Sequence, residues 1–98
     1  MSKTVLITGA TSGIGKATAI ILAQNNYRLV LCGRRQDRLN ELQKELSKFT
    51  SVHTLVFDVR DKEAVFEQIT SLPEAFSQID ILINNAGNAH GLDPFQTG

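Results

Sequence analysis

Eight residues near the amino terminus, Thr8-Gly9-Ala10-Thr11-Ser12-Gly13-Ile14-Gly15, stand between the apolar run Val5-Leu6-Ile7 and an amphipathic segment that begins at Ile14. Glycines at these spacings let the backbone leave a strand sharply, keep the main chain open to a bulky anion, and start a helix pressed close to a sheet. The first turn of such a helix carries N–H groups without intrahelical acceptors and the positive end of the helix dipole. The stretch therefore reads as a phosphate-binding turn between a buried strand and a helix.

The rest of the chain repeats that strand-helix unit. Residues 4–8 form a short, β-branched and apolar run without alternation, as expected of a parallel strand covered on both faces. A helix is expected from about Gly13 to Gln24, with Ile14, Ala17, Ile21 and Leu22 facing the sheet and Asn25-Asn26 as its stop. Arg28 to Gly33 gives the second buried strand. Leu39, Leu42 and Leu46 then mark the apolar side of a second helix whose mixed charges face solvent. Val52 to Phe57 reads as the third strand and Asp61 as the N-cap of a third helix, lined by Val65, Ile69 and Leu72 and ended by Pro73. Ile79 to Ile83 is the fourth strand. Alternating strands and helices predict an α/β sheet with ligand bound beyond the carboxyl ends of the strands.

Those strand ends carry Thr8-Gly9, Gly33-Arg34-Arg35, Asp58-Val59 and Asn84-Asn85-Ala86-Gly87, so polar and glycine-rich residues gather on one edge. A nucleotide triphosphatase loop does not fit. Counting back from Gly15-Lys16, its first glycine is replaced by Ala10, and Ala17 lacks the hydroxyl that would hold magnesium. Lys16 reads instead as a solvated helix residue. In a dinucleotide site the end of the second strand meets the adenosine ribose, where a carboxylate suits a free 2′-hydroxyl and an arginine suits a 2′-phosphate. Arg34 and Arg35 stand there, two guanidiniums able to bracket a dianion with forked hydrogen bonds.

In combination these motifs resemble the short-chain dehydrogenase/reductase family over essentially the whole chain. Residues 8–15 match its TGxxxGxG turn, Asp58-Val59 its adenine-contacting pair, and Asn84-Asn85-Ala86-Gly87 its NNAG element. The resemblance implies a Rossmann-type, doubly wound parallel sheet in the order 3-2-1-4 with helices on both faces. It implies that Ser12, Gly13, Ile14 and Gly15 touch a pyrophosphate, Asp58 the adenine amino group, and Asn85, Ala86 and Gly87 the riboses, while Arg34 and Arg35 select NADP over NAD. Gly9, Thr11 and Val59 complete the candidate cofactor-binding set. Residues 33–39 and 71–84 look like the branch of NADP-dependent 3-hydroxy acid (serine/allo-threonine) dehydrogenases. The implied activity is hydride transfer between the nicotinamide and a small secondary alcohol or carbonyl compound.

The family's chemistry uses a tyrosine with a lysine four residues on, plus a serine and an asparagine. The sole tyrosine here, Tyr27, is followed four residues later by Leu31, so no catalytic residue is assigned and Tyr27 is expected to anchor a turn. Residues 1–98 are accordingly expected to be an NADP-binding half-domain of a longer enzyme, binding cofactor without turnover. An apolar strand at Ile81-Leu82-Ile83, left on an open sheet edge, supports that expectation. The alternative is a non-catalytic module that senses NADPH for a partner.

Composition narrows the remaining classes. Ten acidic and ten basic residues give a formal net charge of zero, without the basic footprint that nucleic acid or an anionic membrane requires. No apolar run approaches the roughly 18 residues of a membrane span, and none suits a signal peptide, so a cytoplasmic protein is expected. The single Cys32 lies in the second strand and reads as a buried hydrophobe. His53 and His90 have no companions at metal-ligand spacing, so no metal site is assigned. The family's dimers and tetramers make a homo-oligomer the expectation for the intact protein.

Overall fold

The computed structural model describes residues 3–85; Ala86, Gly87 and His90, singled out in the sequence, lie outside them. In chain order the elements are β1 (Thr4–Thr8), α1 (Gly13–Gln24), β2 (Arg28–Gly33), α2 (Gln36–Leu46), β3 (Val52–Val56), α3 (Lys62–Thr70), a 3₁₀ turn (Glu74–Phe76) and β4 (Ile81–Asn84). The strands pair in parallel, as the alternating units predict, and in the order β3-β2-β1-β4 that the family resemblance implies. Helices cover both faces. Val5 and Ile7 of β1 and Leu29 and Leu31 of β2 pack with α1 and α2, while Leu6, Val30, Cys32 and Leu55 pack with the α3 side. Successive residues of the two inner strands thus feed opposite cores, which explains their unbroken apolar runs.

Helix α1 turns a different face to the sheet than the large apolar residues suggest. Gly15, Ala19 and Ala23 are buried at i, i+4 and i+8, whereas Ile14 and Ile21 are 71% and 59% exposed. Small residues let the helix axis approach the sheet; only Leu22 and Ile20 of its larger side chains pack partly on the core. Its end is a Schellman motif. Asn26 has φ 67°, its N–H donates to the Ala23 carbonyl, and the Tyr27 N–H reaches back to Leu22. Tyr27 and Leu22 both pack on the same core, so the tyrosine does anchor the turn.

Helix α2 buries Leu39, Leu42 and Leu46 as expected. Asp61 caps α3 by accepting from the Ala64 N–H at 3.2 Å. Leu72 is buried but lies beyond α3, which stops at Thr70 because a residue before proline disfavours the helical conformation. The 3₁₀ turn that follows sets Phe76 against His53, ring centroids 5.4 Å apart, and under the Arg28 guanidinium. Strand β4 starts at Ile81 rather than Ile79, because the Asp80 side chain takes the Thr4 N–H at 2.8 Å and Ile79 turns into the α3-side core. Strand β3 likewise ends one residue early, with Phe57 buried in that core. Ile81 and Leu82 are partly exposed on the open edge. No described helix is long and apolar enough to cross a membrane.

The left-handed Asn26 supplies a stability test. Asn26→Gly is expected to hold or raise the denaturation midpoint, and Asn26→Ala to lower stability by about 1 kcal/mol, because a β-carbon without a local polar group is strained at positive φ. Urea unfolding of the three proteins checks it; an alanine variant as stable as the parent would contradict the motif's role.

Candidate functional site

The parallel registers bring four strand ends level. Thr8 pairs with Cys32 on one side and with Asn84 on the other, and Gly33 pairs with Val56. The turns leaving β1, β2 and β3 open on the same edge, where Asn85 follows β4. The edge is tied laterally as well: the Thr8 hydroxyl donates to Asn84 Oδ1 at 2.6 Å, and the Ala10 N–H donates to the Cys32 carbonyl at 3.1 Å.

Within the glycine turn, Gly9 takes the left-handed conformation at φ 62°. Its carbonyl accepts from the Ser12 N–H at 3.1 Å and from the Ser12 hydroxyl at 2.7 Å. Ser12 Oγ in turn accepts the Gly15 N–H at 3.3 Å, so Ser12 is the N-cap of α1. A β-carbon at position 15 would sit 2.1 Å from the Gly9 oxygen, so only glycine lets the helix start this close to the strand. Gly13 faces open space, with nothing within 4 Å of an added β-carbon. Among the described residues, the N–H groups of Gly13 and Ile14 have no acceptor. Two bare amides at a positive helix end, beside an uncrowded glycine, fit an anionic phosphate.

Arg34 and Arg35 stand at the end of β2, but they are not equivalent. Arg35 Nε lies 3.5 Å from Asp37 Oδ1, and the Arg38 backbone N–H, with the Arg35 charge after it, holds the Asp37 carboxyl below its ordinary range. Arg34 has no ion-pair partner among the described residues. Asp58, at the end of β3, is gripped by Arg60: Nη2 donates to Oδ2 at 2.8 Å, Nε to Oδ1 at 3.1 Å, and the Arg60 backbone N–H to Oδ1 at 2.9 Å. The Arg60 side chain first, then its backbone N–H, lower the Asp58 pKa to about 2, and Arg34 adds a smaller Coulombic pull. Val59 is exposed beside them. Asn85 Nδ2 is buried with no hydrogen-bond partner among the described residues, at the mouth of the same edge.

The structure thus brings Gly9, Ser12, Gly13, Ile14, Gly15, Arg34, Arg35, Asp58, Val59 and Asn85 to one sheet edge. Thr11 lines a neighbouring cavity between α1 and α2 with Lys16, Arg38, Glu41, Leu42 and Glu45. Sequence reasoning passed over Arg38 and Arg60. Arg60 stands two residues after Asp58 in a turn closed by the Asp61 N–H to the Asp58 carbonyl, the spacing at which an aspartate bonds the backbone ahead of it. Cys32 is fully buried, and burial pushes its thiol up to about 12, which leaves it neutral and enclosed. The described residues hold no group of three or more His, Cys, Asp or Glu suited to a metal ion.

The sequence model of the short chain dehydrogenases matches residues 3–97. The chain belongs to this family. It is 53% identical over 96 residues to sulfoacetaldehyde reductase 2 of Chromohalobacter salexigens, covering 98% of this chain and 38% of that one. Serine 3-dehydrogenase of Rhizobium radiobacter is 46% identical over 94 residues, covering 96% and 37%. Among solved structures, the L-sorbose reductase of Gluconobacter frateurii, complexed with NADPH and L-sorbose, superposes with TM-score 0.80 at 39% identity, covering 89% of this chain and 34% of that one. The chain spans little more than a third of the length of the curated relatives it matches. The short chain dehydrogenase fold accounts for the strand order and for the shared edge.

Two substitutions separate the turn's glycines. Gly15→Ala forces the Gly9 carbonyl to move and is expected to cost about 1–3 kcal/mol, while Gly13→Ala, with open space around it, is expected to hold stability or raise it by up to about 1 kcal/mol. Thermal unfolding checks the order, and a reversed order would refute the close approach. The Asp58 carboxyl offers a pH test. Its folded pKa is depressed, so its contribution to folding is complete above the unfolded value of about 3.9 and is lost as pH falls towards about 2. Carboxyl NMR is therefore expected to find Asp58 ionised at pH 3 in the parent and largely protonated there in Arg60→Ala.

Proposed function

We propose that this chain is the NADP-binding part of an oxidoreductase that moves a hydride between the nicotinamide and a small alcohol or carbonyl compound. The observation that carries this reading is the pair of bare amides at Gly13 and Ile14, set at the start of a helix that Gly15 presses against the Gly9 carbonyl. Ser12, Gly13, Ile14 and Gly15, with Gly9 and Thr11 forming the turn, hold the pyrophosphate. Asp58 and Val59 meet the adenine, and Asn85 with Ala86 and Gly87 the riboses. The buried Nδ2 of Asn85, which has no hydrogen-bond partner among the described residues, is a donor suited to a ribose oxygen.

Arg34 is the principal contact to the adenosine 2′-phosphate, because it stands at the end of β2 within Coulombic reach of Asp58 and is not committed to an ion pair among the described residues. Arg35 joins it by exchanging its exposed contact with Asp37, which is weak enough to give way to a dianion. When bound, the nicotinamide supplies the hydride chemistry; these residues bind and orient it. No tyrosine-lysine pair at four-residue spacing is present in residues 1–98, so these residues alone bind without turnover.

The names of the relatives, a serine 3-dehydrogenase and a sulfoacetaldehyde reductase, support a small substrate with an acidic group. A 3-hydroxy acid such as serine or allo-threonine is the first compound to try with the intact protein, which we read as a homo-oligomeric enzyme of the cytoplasm.

Cofactor choice is checked by titrating NADPH and NADH against the intact protein with and without Arg34→Asp. The parent is expected to favour NADPH, and the variant to lose about tenfold or more of that preference, the size of one or two charge-assisted hydrogen bonds. Equal affinity of the parent for both cofactors would overturn the assignment of Arg34 and Arg35.

A further inference from the structure

Three N–H groups of Arg60 hold both oxygens of the Asp58 carboxylate. Oδ1 accepts two hydrogen bonds, from the Arg60 backbone N–H at 2.9 Å and from Nε at 3.1 Å. Oδ2 also accepts two, from Nη2 at 2.8 Å and from the same Nε proton, shared at 3.3 Å. A carboxylate offers about four acceptor directions and only three N–H protons reach this one, the Nε proton being shared between its oxygens, so the grip leaves acceptor capacity for one further donor. The main chain underneath is fixed too, because the Asp61 N–H donates to the Asp58 carbonyl at 2.9 Å and Asp61 itself caps α3.

We propose that Arg60 is a positioning residue for base recognition, holding the Asp58 carboxylate so that its remaining acceptor capacity meets the exocyclic amine of adenine. The proposal rests on the reading of Asp58 as an adenine contact. An ungripped aspartate turns about its terminal torsion between broad, equivalent orientations, and binding would then have to order it. The guanidinium fork removes that freedom before the cofactor arrives, as a planar donor pair does and a point charge does not. Arg60 also neutralises Asp58 locally. The Arg60 side chain is 76% exposed and contributes to neither apolar core, so its removal is separable from folding.

The test compares NADPH with its counterpart carrying hypoxanthine, which lacks the exocyclic amine, by following reduced-nicotinamide fluorescence in the intact protein. The parent is expected to bind NADPH about tenfold more tightly, one hydrogen bond to a charged acceptor. Arg60→Ala is expected to lose most of that ratio while binding the hypoxanthine compound within about twofold of the parent, which also reports an intact site. Arg60→Lys is expected to restore only part of it.

Full discrimination in Arg60→Ala, an equal loss of both compounds, or complete rescue by lysine would each overturn the proposal. Asp58→Ala keeps the two levels apart. If the parent discriminates, Asp58→Ala does not, and Arg60→Ala still does, the positioning role alone fails. If the parent shows no preference for adenine, the reading of Asp58 fails and takes the proposal with it.

Discussion

The approach of Gly15 to the Gly9 carbonyl sets where the first helix begins, and much of the remaining architecture follows from it. That oxygen accepts two hydrogen bonds from Ser12 and leaves no room for a side chain at position 15. A helix so constrained lies close to the sheet, and the burial of Gly15, Ala19 and Ala23 is the consequence along its length. The same tight entry points the first amides of the helix outward. Close packing and first-turn amides left without an acceptor therefore come from one geometric requirement, met by the absence of a β-carbon at position 15.

Parallel pairing extends this constraint across the sheet. Because β1 pairs with both β2 and β4, its end at Thr8 fixes the level of Cys32 and Asn84, and β2 carries that level on to β3. The cross-links Thr8 to Asn84 and Ala10 to Cys32 stiffen the rim on which the turns stand. Residues from 9 to 85 thus act at one edge, although each is delivered by a separate strand.

The buried strands were legible because their signal is local: the middle of a strand covered on both faces is apolar without alternation, and residues 5–7 and 29–32 are. The caps at Ser12 and Asp61 were legible for a similar reason, since a capping side chain acts within three residues. The inward face of α1 was not. Periodicity weighs large apolar side chains, whereas this helix turns its smallest residues inward, and Ile14 and Ile21 follow outward by geometry. The start of β4 was missed because Asp80 replaces a backbone ladder bond with its side chain, a substitution that apolar patterning does not register. At the site, residue types marked Arg34, Arg35 and Asp58 as candidates, but how their charges pair depends on side-chain placement.

That pairing changes the meaning of a chain with zero formal net charge. At the ends of β2 and β3, Arg35 is matched by Asp37 and Arg60 by Asp58, which leaves Arg34 without an ion-pair partner among the described residues. Exposed pairs of this kind add little to stability, so their effect lies in which cation remains available. A site formed from unpaired arginines would attract any polyanion and bind it in many poses. With two of three arginines matched locally, the edge keeps one positive charge beside one oriented carboxylate. In the proposed reading, the cation meets a phosphate on one side of a nucleoside and the carboxylate an amine on the other.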